Sequence, residues 1–291
     1  MLTAILLGVL GTPLVFAGAF LVARALSARS VVPPALLDAR AQLTGTLGPG
    51  GAALTLYGAG VFLLTAVGLV LGEIFQRIEH PVDWAVFHWI EDVQRHGWAE
   101  PMRFLGQMGN IPETRGTAAV AAVVLTVVAV LRRERWWVPA VIIGGTVLVQ
   151  KFDNAALAKV VNRGHPPTTL GTYPSGGCGR TLAIYGTVVL VALAYTRAGR
   201  TVRCAAWSLI VTMAFMEGYT RTYLNKHWVT DVLGGWAVGG MLLVVTVFAC
   251  RVLLPRTDGA PNGGATDTFG HDRVSTRISS PEPDSLSPEA C

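Results

Sequence analysis

The chain has 291 residues, 52% hydrophobic and 14% charged, with a net charge of +5. A soluble domain carries about a quarter charged residues, so this composition excludes a soluble globular protein and specifies an integral membrane protein. The basic excess sits at the ends of apolar runs rather than in a stripe with interleaved aromatics, which excludes nucleic acid as a partner.

Residues 1–23 carry no charged side chain, and the first cation, Arg24, follows the apolar run. That order predicts an uncleaved anchor with its N-terminus outside rather than a signal peptide. A Pro/Gly-rich connection covers 26–51 and a second span 52–73. The polar section 74–115 contains Trp84, Phe87, His88, Glu91 and Asp92, the pattern of a helix lying at the interface. His80, His88 and His96 recur every eight residues and share a face only if one helix carries them.

Residues 116–131 and the run ending at Gln150 are two spans, joined by the basic turn Arg132-Arg133-Glu134-Arg135 and anchored by Trp136-Trp137. The second of them continues through Lys151, Asp153 and Asn154 to Lys159. Ionisable groups in a span belong against protein, not lipid. A polar Gly/Pro-rich loop follows over 161–180, then apolar runs at 181–196, 204–216 and 232–250. Several runs fall short of the ~20 residues a span requires, so their polar ends continue as helix facing protein or water. Residues 254–291, rich in Ser, Pro, Gly and Asp, are expected to be a disordered cytoplasmic tail. The four cysteines, Cys178, Cys204, Cys250 and Cys291, have neither metal-ligand nor disulfide spacing.

The positive-inside rule assigns the clusters at 24–40, 132–135, 197–203 and 251–256 to the cytoplasm. Seven spans satisfy this and bring 74–115, 161–180 and 222–231 together on the outer face. Three segments of those outer loops carry chemistry. The first contains Lys159, Arg163, His165 and Pro166. The second is Tyr173-Pro174-Ser175-Gly176-Gly177-Cys178-Gly179-Arg180. The third runs from Arg221 through His227 to Asp231. Lys159, Arg163, Arg180 and Arg221 supply cations. Ser175, Gly176 and Gly177 precede a helix whose backbone N–H groups can cradle an oxyanion. His227 and Asp231, four apart, share a face if the next helix starts there. Glu217 and Arg221 are also four apart, and pair so as to steady Arg221. Cations, a Gly-rich nest and an imidazole, without a carboxylate cluster for a metal, suit a phosphoryl group.

These three segments resemble, in order, the signature motifs of the type 2 phosphatidic acid phosphatase superfamily, whose motifs read Lys followed by Arg-Pro; Pro-Ser-Gly-His; and Ser-Arg, five residues, His, three residues, Asp. The third motif fits in spacing through Arg221, His227 and Asp231, with Thr220 in place of Ser, and continues as Val232-Leu233-Gly234-Gly235. The resemblance implies a phosphohistidine at His227, oriented by Asp231. It implies phosphate binding by Arg221, Ser175, Gly176 and Gly177, with Lys159, Arg163 and His165 from the first motif. Two motifs depart from the pattern. Gly177 stands where the proton-donating His belongs. His165 stands where Arg precedes Pro166, which puts Ala158 in the Lys position and Lys159 one residue off. Arg180 is either an auxiliary phosphate ligand or an interfacial anchor.

The sequence is therefore expected to fold as an all-α, polytopic membrane helix bundle of about seven transmembrane helices. Residues 1–51 form an extra N-terminal helix and connection, 52–253 a six-helix phosphatase-like domain, and 254–291 the tail. The expected activity, without metal or cofactor, is hydrolysis of a lipid phosphate or diphosphate at the outer face of the cell membrane. The alternative is a pseudoenzyme that binds lipid phosphate or a partner without turnover.

Overall fold

The computed structural model describes residues 2–26, 32–94, 96–169 and 171–255. The expected tail beyond 255 lies outside them. The described chain is helical throughout: α1 (Leu2–Leu26), α2 (Pro34–Arg77), α3 (Trp84–Val93), α4 (His96–Leu105), α5 (Ile111–Leu131), α6 (Val138–Val161), α7 (Gly176–Arg180), α8 (Gly186–Thr196), α9 (Arg200–Tyr223) and α10 (Val229–Cys250). A π-helical turn, Thr181–Tyr185, joins α7 to α8, so that Gly176–Thr196 runs as one helical segment. Counting that segment once, seven helices of at least 21 residues stand where seven spans were expected. Four of them, Pro34–Arg77, Ile111–Leu131, Gly176–Thr196 and Val229–Cys250, are long and apolar enough to cross a membrane by length and composition. The α6 helix carries Lys151, Asp153 and Lys159, and α9 carries Glu217 and Arg221.

Three differences from the sequence reading matter. The expected connection over 26–51 is helical from Pro34 onward. A straight 44-residue helix would reach ~66 Å, about twice the bilayer core. The chain breaks it at Gly48, which adopts φ 69° and ψ 172°, a conformation open to glycine, followed by Pro49. The polar section forms two short helices rather than one. Phe87 and Ile90 of α3 are buried, so α3 packs inward as well as lying at the surface. His80 lies in a π-helical turn, Glu79–Asp83, that leads into α3, His88 lies in α3 and His96 starts α4, so one helix does not carry all three.

Large apolar side chains such as Phe62, Val120, Phe152 and Val244 point outward, as expected where hydrocarbon is the solvent. Inside, one apolar cluster includes Leu125, Ile142, Val191 and Tyr195, and another includes Leu64, Leu157 and Leu242. Asp153 is nearly buried within α6 and accepts a hydrogen bond from Thr65 Oγ1 of α2 at 2.5 Å. Lys151 lies over the Phe152 ring, 5.1 Å from its centroid.

Candidate active site

The α9 helix ends at Tyr223, and the chain turns through Asn225, at φ 49°, before α10 begins at Val229. Trp228 caps α10. Asp231, the third helical residue, accepts the Trp228 backbone N–H on Oδ2 at 3.2 Å. The same oxygen lies 3.6 Å from His227 Nδ1. His227 is thus outside the helix, and the pair meets across an N-terminal cap rather than along one helix face. The cap aligns the imidazole: Trp228 is fixed by its indole N–H donating to the Gly164 carbonyl at 3.0 Å and by ring contacts with Trp84 and Phe87 at 5.2 and 5.8 Å.

Behind this pair lies a buried ionic network. The Arg163 side chain is fully buried and lies 3.3 Å from Asp231 Oδ1, 2.7 Å from Asp83 Oδ2 and 3.1 Å from Glu79 Oε2. Arg163 also donates to Thr230 Oγ1 at 2.7 Å, and the Thr230 hydroxyl and backbone N–H both donate to Asp83, at 2.6 and 3.0 Å. Desolvated ions of this kind persist only when paired and hydrogen-bonded. The Arg163 guanidinium, expected to bind phosphate, is instead committed to carboxylates and fixes Asp231 from the rear.

In front, Ser175 is the N-cap of the helical segment starting at Gly176, and its backbone N–H donates to the Asp231 carbonyl at 2.9 Å. This contact needs close approach. A Cβ on Gly235 would lie 2.5 Å from the Ser175 carbonyl oxygen, and one on Gly239 2.5 Å from that of Gly179. The glycines after Asp231 therefore bring the second segment against the third. The first N–H groups of a helix lack intrahelical acceptors, which makes this terminus an anion cradle.

Arg221, in the last turn of α9, donates from Nε to Glu217 Oε1 at 2.7 Å and from Nη2 to the Gly106 carbonyl and Asn110 Oδ1 at 3.0 and 2.8 Å. Glu217 is fully buried and also accepts the Gly109 N–H on Oε2 at 3.1 Å. Arg180 Nε donates to the Gly109 carbonyl at 2.9 Å, so Arg180 braces the 106–110 turn. A Cβ on Gly176 would lie 2.9 Å from Arg180 Nη1, and one on Gly177 would overlap Glu217 Oε1 and sit 3.2 Å from Arg221 Nε and Nη2. The two glycines, both arginines and Glu217 thus form one cluster. Half-buried Lys226 adjoins it: burial, with the Arg221 and Arg103 guanidinia nearby, holds its ammonium below the ordinary lysine value.

Four polar atoms here are buried without a hydrogen-bond partner: Arg163 Nε, Ser175 Oγ, His227 Nδ1 and Asp231 Oδ1. Such atoms are costly when left dry; Arg163 Nε and Asp231 Oδ1 belong to the ionic network behind the pair, which leaves Ser175 Oγ and His227 Nδ1 on the side of the cradle. Lys159 and His165 are exposed. The structure gives His165 Nδ1 the carbonyl of Pro166 at 3.0 Å, and no described contact joins either residue to His227. Sequence reading missed Glu79, Asp83, Gly106, Gly109, Asn110 and Lys226. Asp83 and Asn110 sit in segments without motif spacing, and only the fold brings them in. Lys226 was legible as the cation next to His227.

Fold and site together define an all-α membrane bundle with a cation-rich cluster and a His–Asp pair at one end. Residues 159–252 match the family model described as the PAP2 superfamily. The fold is similar to that of the first transmembrane PAP2-type phosphatidylglycerolphosphate phosphatase from Bacillus subtilis, with a TM-score of 0.56 and 18% identity over 64% of this chain and 93% of that one. No curated protein matches the chain.

Proposed function

We propose that the protein is a membrane lipid phosphatase that removes a phosphoryl group from a lipid phosphate or diphosphate through a phosphohistidine at His227. The observation that carries this reading is the His227 Nδ1–Asp231 pairing at the N-terminus of α10. It holds the ring N–H toward the carboxylate and leaves Nε2 with its lone pair for phosphorus. Arg221 and the N–H groups of Gly176 and Gly177 bind the phosphoryl oxygens, and Ser175 Oγ supplies a further donor. Lys226 and Arg180 add positive charge, which is stabilising as negative charge develops. Lys159, on α6, and His165, in the loop after it, would contribute to phosphate binding from the periphery of the site. The site faces outward from the cell membrane, where a lipid head group projects.

Leaving-group chemistry supports a diphosphate. An alkoxide expelled from a monoester needs protonation badly, and a general acid is worth about 10²–10⁴ in rate. A phosphate leaving from a diphosphate needs it less, and Gly177 supplies no acid. The relative from Bacillus subtilis acts on a lipid phosphate by its name, so phosphatidate-type monoesters are the second class to assay. A pseudoenzyme is the other reading, favoured by Glu217 already holding Arg221 Nε. Phosphate release from a polyprenyl diphosphate and from phosphatidate, by wild type and His227→Ala, decides. A release rate lost in the variant supports the phosphatase; equal rates in the two proteins overturn it.

A further inference from the structure

The position that lacks a side chain and the buried carboxylate beside it fit each other. Any side chain on residue 177 begins with a Cβ, and that Cβ would overlap Glu217 Oε1. Glu217 as placed therefore requires glycine at 177. A buried carboxylate in a membrane bundle is costly unless it is paired, and among the described residues Glu217 accepts from the Arg221 Nε–H and the Gly109 N–H. It is therefore anchored at the anion cradle and on the guanidinium that meets the phosphate, not elsewhere on α9.

We propose that Glu217 takes over the space left at Gly177 and serves as the proton-transfer group of the site; this deepens the phosphatase reading above and rests on it, and it brings alkyl phosphate monoesters within reach of the site alongside diphosphates. Around Glu217 stand Arg221 on its own helix, Arg180, Cys178 and Tyr185 on the Gly176–Thr196 segment, and Lys226 from the following turn. A phosphate monoester has its second pKa at about 6, so substrate arrives in part as a monoanion and shares its proton with Glu217.

The steps balance. The His227 Nε2 lone pair forms the N–P bond while the P–O bond to the lipid breaks, and Glu217 gives its proton to the departing oxygen. Water then attacks phosphorus and the N–P bond breaks. Glu217 takes one proton from that water and passes it to the phosphate, which leaves as the monoanion. The net change is monoanionic ester plus water to alcohol plus phosphate monoanion. Glu217 does not touch His227 in any described contact; its role is at the leaving oxygen and the water.

Leaving-group dependence tests this, because a residue that only steadied Arg221 would affect all substrates alike. Glu217→Gln keeps the shape and an acceptor. The expected result is a loss of about 10²-fold or more in kcat on an alkyl phosphate lipid, with a much smaller loss on an aryl phosphate, whose leaving group needs no proton. Equal losses on both substrates reduce Glu217 to a positioning residue and overturn the proposal while leaving the phosphatase reading intact. A wild type that releases phosphate from neither substrate overturns both. Because Glu217→Gln could lower protein yield, the pair Gly177→His and Gly177→His/Glu217→Gly is measured alongside. The single variant is expected to be inactive and the double to regain alkyl-phosphate turnover. A fully active Gly177→His would show that the two side chains do not share one space, and would also overturn the proposal.

Discussion

Asp231 uses its two oxygens in opposite directions. Oδ2 faces the Trp228 N–H and His227, and Oδ1 faces Arg163. Asp231→Asn keeps the size and removes the charge that orients the imidazole. We expect kcat to fall on the order of 10²–10⁴ with KM little changed, as measured by steady-state phosphate release. Arg163→Met leaves Asp83, Glu79 and Asp231 without their cation. Breaking such a buried pair costs about 3–5 kcal/mol, and thermal unfolding in detergent should show a clearly lowered midpoint. A change confined to KM would instead mean that Arg163 binds phosphate directly. For Lys226, burial and the neighbouring guanidinia favour the neutral amine. Its charge is therefore lost as pH rises through a value below that of free lysine, and substrate affinity should weaken on the alkaline side. Lys226→Arg, which stays charged, should extend the affinity plateau to higher pH in a KM–pH profile. At this scale the sequence was legible where spacing is local: His227 and Asp231 approach to 3.6 Å, and Arg221 pairs with Glu217 one turn earlier in its own helix. The ion pairing of Arg163 was not legible because its partners, Asp83 and Glu79, are about eighty residues away and carry no motif.

Among the elements, the packing of α10 against the start of α7 joins two motifs that lie far apart in sequence. Gly235 makes it possible, since a Cβ there meets backbone that cannot swing aside. Gly235→Val should lower the unfolding midpoint by an amount corresponding to about 1–3 kcal/mol, the usual cost of overpacking. It should also lower turnover, because Ser175 is displaced from Asp231. An unchanged midpoint and unchanged turnover would show that the two elements have room to spare. Helix positions were legible from apolar runs, and helix ends were not. Runs such as 204–216 were expected to continue as helix through their polar ends, and α9 does run from Arg200 to Tyr223; where it stops was not legible, since protein contacts rather than apolarity sustain its ends. The expected His–Asp face was right in its partners and different in its geometry, because the turn at Asn225 puts the helix start after His227.

Across the whole molecule, the basic turns gather at the end opposite the site. Arg200 donates to the Arg24 carbonyl at 2.6 Å, Tyr195 to the Arg135 carbonyl at 3.3 Å, and Arg40 lies 5.0 Å from the Phe248 ring centroid. A cavity of about 610 Å³ lies between Arg40, Arg135 and Arg251. Burial, together with Arg203 and Arg40, holds Arg251 below its ordinary value. This segregation was legible from charge alone, because orientation signals cluster in short loops. Cysteine labelling tests the direction. Cys178, Cys204 and Cys250 are buried, so Pro167→Cys and Arg132→Cys in a Cys291→Ser background report the two ends. An impermeant maleimide applied to intact cells should label position 167 and spare 132; the reverse pattern would place the site on the cytoplasmic side. The central claim is that phosphorus passes through His227. The most direct measurement is trapping of the enzyme by rapid quench after mixing with lipid diphosphate labelled in its terminal phosphate. The account predicts a base-stable, acid-labile protein-bound label in wild type that is absent in His227→Ala. A label of equal yield in the variant, or turnover of substrate by wild type with no protein-bound label at any quench time, would contradict it.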